Sequence, residues 1–548
     1  MSTIETPPIC LNSLGYLPAQ RKRATISLPC ERFAVRDNVT GAVVYQGELQ
    51  GARTDAADGS GTWTADFTAV EAEGTYRIEC SPAIVSAPFR IAADIYRFPF
   101  YTATRAMYLW RCGVAVSAVH NGVTFSQRAC HRDDGYLRFV GDSEPETSPF
   151  HSKHIRKDAT GGWHDAGDYN KYVVNAGVTV SSMLLAFEHF PGPLSEFSLD
   201  LPERDAQGDH DTARLPDILA EVKWEMDWLL KMQFPDGRVS HKLTTRDFCG
   251  FIMPDEEKQE RYFTPWSTSA TADFAAMMAA ASVAYAPYRP EFAARCLDAA
   301  KLSYEALREH PDDFEGDQSP FSTGGYGSPD AGHRLWAAAE LWRATGEAAY
   351  LSDFEVRANT CDPLVDTHWD WATMKNHGLF AYLHCSRPGK DAGLNAAIER
   401  SVIEAADGIV ETADAHAYGR PLGSVYHWGG NGSVARQAIL LQIAHSLKPD
   451  PSYRETALDA LGYLFGRNPF GRSFVTGLGH NPPMHPHDRR SGADGIDDPW
   501  PGYLVGGAWP REVDWYDVEE DYRTNEIAIN WNAALIYALA GFVNPERA

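Results

Sequence analysis

The chain is predicted to be mostly α, with a small β-sandwich at its N-terminus and a ring of paired helices after it. Three observations predict this. Residues 9 to about 93 carry short alternating or β-branched segments, separated by glycine, proline and aspartate turns. From about residue 94 onward apolar residues recur at helical spacing instead. At 548 residues the chain also exceeds the length at which one hydrophobic core usually stops growing, so two domains are expected, 1–93 and 94–548.

Within the β portion, Ala24-Thr25-Ile26-Ser27-Leu28, Gly41-Ala42-Val43-Val44-Tyr45 and Gly74-Thr75-Tyr76-Arg77-Ile78 read as strands of an immunoglobulin-like sandwich. It holds no acidic dyad and no histidine, the first being His120, so it reads as a supporting module. In the helical portion Asp217 is a candidate cap for a helix striped by Leu219, Val222, Met226, Leu229 and Leu230. Residues 270–284, 335–343, 393–404, 434–446, 454–466 and 530–540 repeat the pattern. Trp336 and Trp342 fall inside one of these helices and read as packing residues. Most clustered aromatic and polar residues lie in glycine- and proline-rich stretches between helices, and no regular buried strand alternates with them, which excludes a βαβ architecture.

Composition narrows the function classes. The 15 tryptophans and 24 tyrosines supply many wide amphipathic rings, suited to stacking on the apolar faces of pyranoses. A formal charge of −25, from 74 acidic and 49 basic residues, repels phosphate backbones and anionic lipid, so neither nucleic acid nor a membrane is an expected partner. No run of 18 apolar residues occurs. The opening Met1-Ser2-Thr3-Ile4-Glu5-Thr6-Pro7-Pro8 lacks the basic and apolar regions of a signal peptide, so a cytoplasmic location is expected, or secretion if a native leader was removed. Nine scattered cysteines form no dense disulfide framework, in keeping with a reducing compartment. No phosphate-cradling Gly-rich Lys-Ser/Thr motif is present, and no organic cofactor is expected. A monomer or weak homo-oligomer is the expected assembly.

Two acidic clusters carry the chemistry. In Gly161-Gly162-Trp163-His164-Asp165-Ala166-Gly167-Asp168-Tyr169 the glycines permit tight turns, and Asp165 and Asp168 would share a face of one helical turn. Two close carboxylates can hold a water, Asp168 removing its proton while Asp165 orients it and tunes the pair. Helix-capping aspartates or a calcium loop are the other readings of this stretch. Near the C-terminus, Asp521-Tyr522-Arg523-Thr524-Asn525-Glu526 precedes an apolar helix, placing Glu526 at its mouth. Desolvated by Tyr522 and Trp531, that carboxyl would stay protonated and could give its proton to a departing oxygen; in a first helical turn the helix dipole would oppose this. One carboxylate base and one carboxylic acid are the minimum for cleaving a glycosidic bond. A separation of about 6.5–9.5 Å admits a water and inverts the anomeric centre, whereas about 5–5.5 Å gives retention.

These residues resemble glycoside hydrolase family 9, the inverting cellulase and endoglucanase family, in its branch with an N-terminal immunoglobulin-like domain. Asn12-Ser13-Leu14-Gly15-Tyr16-Leu17-Pro18 is similar to the opening of that domain, Gly162 to Tyr169 to the family's base motif, and Asp521-Tyr522 with Asn525-Glu526 to its acid motif. The resemblance implies an (α/α)6 barrel, Asp168 as general base, Asp165 as its water-positioning partner and Glu526 as general acid. It implies hydrolysis of β-1,4-glucosidic bonds in cellulose-like glucans or cello-oligosaccharides. An exo-acting β-glucosidase or β-glucosaminidase of the same fold is the alternative. A Pro-His-His-Arg segment of the family points to His487 and Arg489 as ligands of sugar hydroxyls, with Asp488 where a second histidine is common. His487 could also simply brace a proline-rich loop. Trp266, Trp428 and Tyr522 are the candidate stacking aromatics, the tryptophans reading equally as core.

Metal ligands are also indicated. Cys112, Cys130 and His131 are ligand types that zinc prefers, two buried thiols being the other reading. Resemblance to zinc-bearing members adds His164 as the fourth ligand, with His151 and His154 as competing choices. A closed zinc there would anchor the base loop. Calcium is a further expectation, for example among Asp353, Asp362, Asp366 and Asp370. The usual loop of relatives has Gly332 and His333 at acidic positions here, which argues against that site.

Overall fold

The protein is described by a computed structural model covering residues 6–54, 61–81, 84–135, 156–202 and 215–543. Its chain divides into two compact units. One is drawn from Met1–Ala106, Ile403–His487 and Gly495–Ala548, the other from Met107–Val402 and Asp488–Asp494. The β-rich N-terminal segment thus shares a unit with the C-terminal helices.

That segment contains β1 (Ile9–Cys10), β2 (Arg23–Ile26), β3 (Arg32–Asp37), β4 (Val43–Glu48), β5 (Gln50–Thr54), β6 (Gly61–Asp66), β7 (Gly74–Ser81), β8 (Ile84–Val85) and β9 (Phe89–Ile91). One antiparallel sheet has the order β1-β2-β6-β5; in the other, β4-β3-β7 run side by side and both β8 and β9 pair with β7. The period-two pattern of the sequence builds the core. Ala24 and Ile26, Phe33 and Val35, Tyr76 and Ile78, and Phe89 and Ile91 alternate inward along their strands, with Ala65 and Phe67 completing one cluster. Tyr16 meets Phe67 and Phe89 edge-on, at centroid distances of 5.0 and 5.4 Å. Gly15, at φ +119°, lies where a Cβ would stand 2.3 Å from the Arg90 carbonyl oxygen, so only glycine fits the turn.

Alternation also leaves Thr25 buried but pointing away from that core, toward the helices of its own unit. Its hydroxyl donates to the Ala417 carbonyl at 2.9 Å and accepts from Arg467 Nε at 3.1 Å. Arg467 in turn holds Asp459 at 2.7 Å, and Arg21 pairs with the same carboxylate.

The expected helices are present as Asp217–Met232, Thr268–Tyr285, Ala331–Thr345, Ala392–Ala415, Gly430–Leu447, Pro451–Leu464 and Ile529–Ala540. Val173–His189, Pro290–Glu309, Ala348–Ala358 and Lys375–His384 are additional. Two kinds of helix recur. Thr268–Tyr285 is buried around its whole circumference, whereas Pro290–Glu309, packed on it, buries one stripe of Phe292, Cys296, Ala299, Ala300, Tyr304 and Leu307. Such an inner helix shows no single apolar face. Trp336 and Trp342 are buried packing residues, as expected. Asp217 is not a cap: Pro216 holds that position, and the Asp217 carboxylate accepts from the Leu199 backbone N–H at 2.7 Å.

Removing Asp459 would leave the Arg467 guanidinium buried without its charge partner. Asp459→Ala is therefore expected to destabilise the protein by about 3–5 kcal/mol, read from the shift in urea midpoint.

Candidate active site

The segment from Gly161 to Asn170 is a bent loop leading into the helix Val173–His189, not the helical turn its three-residue spacing suggested. Gly162, at φ +73°, sits where a Cβ would meet the Trp228 ring at 2.7 Å, so only glycine lets the loop pass. Buried polar contacts hold this loop along its length. Trp163 donates its backbone N–H to Glu225 at 2.6 Å and its indole N–H to Glu221 at 2.8 Å, and Glu221 is paired with Arg111 at 2.8 Å. Lys171 binds Asp134 at 3.0 Å and the Ala159 and Gly161 carbonyls at 2.7 and 2.8 Å. The Trp110 indole donates to the Ala166 carbonyl at 3.1 Å.

This frame buries two carboxyl groups, Asp165 at 1% and Asp168 at 4% exposure, and gives them different partners. Asp168 Oδ2 accepts from the Asn170 side chain at 2.7 Å, the Asn170 backbone at 3.3 Å and the Tyr172 hydroxyl at 3.1 Å. Asp165 accepts from Asn175 and from Tyr326, both at 2.7 Å. Burial, and then the charge of Asp168, push Asp165 up to about 8 despite those two hydrogen bonds. Burial beside a second carboxyl thus disposes Asp165 toward its protonated form. Asn170, Tyr172, Asn175 and Tyr326 were not anticipated as partners. Asn175 carried a signal, as a lone amide in the apolar run Val173 to Val178.

Arg489, a candidate sugar ligand, donates from Nη1 to the Gly167 carbonyl at 2.7 Å and from Nε to the Cys249 carbonyl at 2.9 Å, both in the same unit, and is 6% exposed. Through Gly167 it anchors the 161–170 loop. Asp488 is buried and paired with Arg490 at 3.3 Å. Trp266 stacks on Phe314 with centroids 4.6 Å apart, with His310 and Arg238 packed about it, so its ring is committed to protein contacts.

The other unit carries the remaining candidates. Glu526 is half-buried, closing the single turn Tyr522–Asn525 three residues before the helix Ile529–Ala540, and therefore lies outside that helix's first turn. Its carbonyl accepts from Gly506 N at 2.9 Å, and its backbone bridges to His487. His487 lies beside the Tyr522 ring, with Nδ1 on the Glu519 carbonyl at 2.6 Å. Tyr522 is 56% and Trp428 37% exposed, unlike Trp531, which is buried. Tyr522 is thus an accessible ring, where the sequence had suggested a desolvating one. Trp428 packs edge-on against Trp531 and donates to the Tyr522 carbonyl at 3.4 Å.

Cys112, Cys130, His131 and His164 converge in the unit of the 161–170 loop, their ligand atoms all within 4.8 Å of one another. The contacts are 3.5 Å for Cys112–His131, 3.8 Å for Cys130–His164 and 3.4 Å for His131–His164. A tetrahedral zinc with bonds of about 2.0–2.3 Å sets its ligands about 3.3–3.8 Å apart, so the group fits such an ion. Burial brings His164 down to about 4, keeping it neutral as a ligand must be, and His131 Nε2 meets Glu257 at 3.1 Å. His151 and His154 lie outside the described residues. Among the described residues this is the metal-ligating cluster found; Asp353, Asp362, Asp366 and Asp370 do not come together as one.

Comparison with known proteins accords with this geometry. Residues 96–539 match glycosyl hydrolase family 9, and residues 5–83 match the cellulase N-terminal ig-like domain. The helical portion is thus a glycoside hydrolase domain of (α/α)6-barrel fold, preceded by an immunoglobulin-like sandwich. The chain belongs to glycosyl hydrolase family 9. It is 50% identical over 539 residues to endoglucanase D of Acetivibrio thermocellus, covering 98% of this chain and 83% of that one. A metagenome-derived family 9 endoglucanase superposes with a TM-score of 0.88 at 34% identity, covering 98% of both chains. A zinc-binding triple mutant of another family 9 endoglucanase does so with a TM-score of 0.87 at 34% identity, covering 97% of this chain and all of that one.

Glu225 offers a test of the frame. Burial, against the Trp163 hydrogen bond, pushes it from the usual 4.5 to about 8. Between those values the native state holds a proton that the unfolded state has lost, so stability falls as pH rises. Glu225→Gln cannot ionise. Its stability relative to the parent should climb across this window by at most about 1.4 kcal/mol per pH unit, in urea unfolding followed as a function of pH.

Proposed function

We propose that Asp168 is the general base, Asp165 its positioning partner and Glu526 the general acid of the inverting hydrolysis of β-1,4-glucosidic bonds, the reaction of family 9. The observation that carries this reading is the unequal treatment of two carboxyls in one loop. Asp168 accepts three hydrogen bonds on one oxygen, while burial and its neighbour's charge raise Asp165 toward its protonated form. A water held by the pair gives its proton to Asp168 and its oxygen to the anomeric carbon. In the same displacement the anomeric C–O bond breaks and Glu526 protonates the departing glycosidic oxygen. The exposed rings of Trp428 and Tyr522 suit the apolar faces of glucose units, and His487 a hydroxyl. Kinship with endoglucanase D supports a cellulose-like glucan as substrate and internal cleavage of it. Asp168→Asn and Glu526→Gln are each expected to lower kcat on soluble cello-oligosaccharides by at least about 10³-fold while the thermal midpoint stays put. In the parent enzyme the first product should appear as the α-anomer. Near-normal turnover of either purified variant would remove that residue from its role.

We further propose that Cys112, Cys130, His131 and His164 hold one structural zinc. When bound it would close the coordination shell and add folding energy beside the base loop, because His164 directly precedes Asp165. The distances between ligand atoms and the zinc-binding relative support this. Metal analysis of natively purified protein should find about one zinc per chain. Cys112→Ser should lose it together with several degrees of thermal midpoint. A metal-free parent of unchanged stability would refute the site.

A further inference from the structure

Tyr326, whose hydroxyl reaches Asp165, stands in an unfavourable backbone conformation. Its φ is +53°, in the left-handed region that a bulky residue seldom enters. The loop around it would relax toward negative φ unless held, and relaxation would carry the hydroxyl off the carboxyl. It is held from both sides by buried imidazoles. Before Tyr326, His241 Nε2 meets the Gly325 carbonyl at 2.6 Å, with Nδ1 on Ser267 Oγ at 2.7 Å. After it, His333 Nε2 meets Ser328 Oγ at 2.9 Å, with Nδ1 on Asp273 Oδ1 at 2.7 Å. Neither ring is exposed to solvent.

The tautomer of His241 follows from its partners. A carbonyl oxygen only accepts, so Nε2 must carry the hydrogen, and Nδ1 accepts from the Ser267 hydroxyl. Burial lowers this imidazole to about 4, so it remains neutral and in that tautomer over the working range. Both histidines are fixed by the same helix. Ser267 is the N-cap of Thr268–Tyr285, accepting from Ala270 N at 3.1 Å, and Asp273 lies one and a half turns further along. That helix is buried on all sides, so the two fasteners share a rigid base. Lys242 adds a third bond, to the Gly324 carbonyl at 2.6 Å.

The geometry points to His241 and His333 as positioning residues of the reaction, which hold the 324–328 loop so that Tyr326 keeps its hydroxyl on Asp165. This rests on the reading of Asp165 and Asp168 given above. Buried histidines with satisfied nitrogens are ordinary core residues, so the test must separate placement of Tyr326 from mere folding.

A double-mutant cycle does this. His241→Ala, His333→Ala and Tyr326→Phe should each lower kcat by about 10–100-fold with KM changed by less than about threefold. His333→Ala combined with Tyr326→Phe should be no slower than Tyr326→Phe alone, because the loop then has no hydroxyl left to place. His241→Gln, which can still donate to the Gly325 carbonyl, should recover most of the loss. Where the alanine variants do not fold, Ser328→Ala replaces them in the same cycle, since it frees the loop while leaving the His333–Asp273 pair intact. Multiplicative losses in the double variant, or wild-type kcat in all the singles, would overturn the proposal. Asp168→Asn measured in parallel separates the two readings: full turnover there would sink the base assignment itself, whatever the cycle gives.

Discussion

Two carboxyl groups three residues apart, both shut away from water, cannot both be charged without large cost. The local structure can be read as the resolution of that conflict. Asp168 is surrounded by donors, an amide, a backbone N–H and a phenol. Asp165 has two donors, and these do not offset its burial. The two carboxyls are thus held in unequal environments on one loop. Around the pair, Lys171, Glu225 and Arg489 hold the loop backbone, and Glu221, paired with Arg111, holds the Trp163 indole. Rigidity matters because proton removal is sensitive to displacements of well under 1 Å in order of magnitude.

Much of this was legible in the sequence. The glycines at 161 and 162 announced tight turns, and the Cys130-His131 pair announced a cluster that comes together with Cys112 and His164. The strands of the sandwich followed from alternation, and most helices from their apolar spacing. Other features left no local trace. Val173–His189 is apolar on nearly every side, so it shows no stripe by which to recognise an amphipathic helix. The spacing of Asp165 and Asp168 fits a helical turn, but Gly161 and Gly162, both at positive φ, turn the chain another way.

The hydrogen-bond partners of the dyad were the least visible. Tyr326 lies 161 residues from Asp165, and nothing in the Gly324-Gly325-Tyr326 sequence marks its hydroxyl as a carboxyl donor. Arg489 shows the converse. Its type suits a sugar hydroxyl, but folding puts two backbone carbonyls within its reach first. Aromatic residues divide the same way: Trp266 and Trp428 look alike in sequence, and only packing distinguishes a ring stacked on Phe314 from one that meets solvent.

The node formed by Thr25, Arg467 and Asp459 has a consequence for how this architecture can change. A sandwich joined by a tether alone could be exchanged freely for another. Here the strand supplies a hydroxyl to a sequestered guanidinium, and Arg21 supplies a second cation to the same carboxylate. A foreign sandwich grafted in its place would have to bring an acceptor at the position of Thr25 and a cation at that of Arg21, or leave the buried Arg467 Nε–H without its acceptor and Asp459 with one cation fewer. The sandwich therefore completes a polar node that the helical part of its unit cannot satisfy alone.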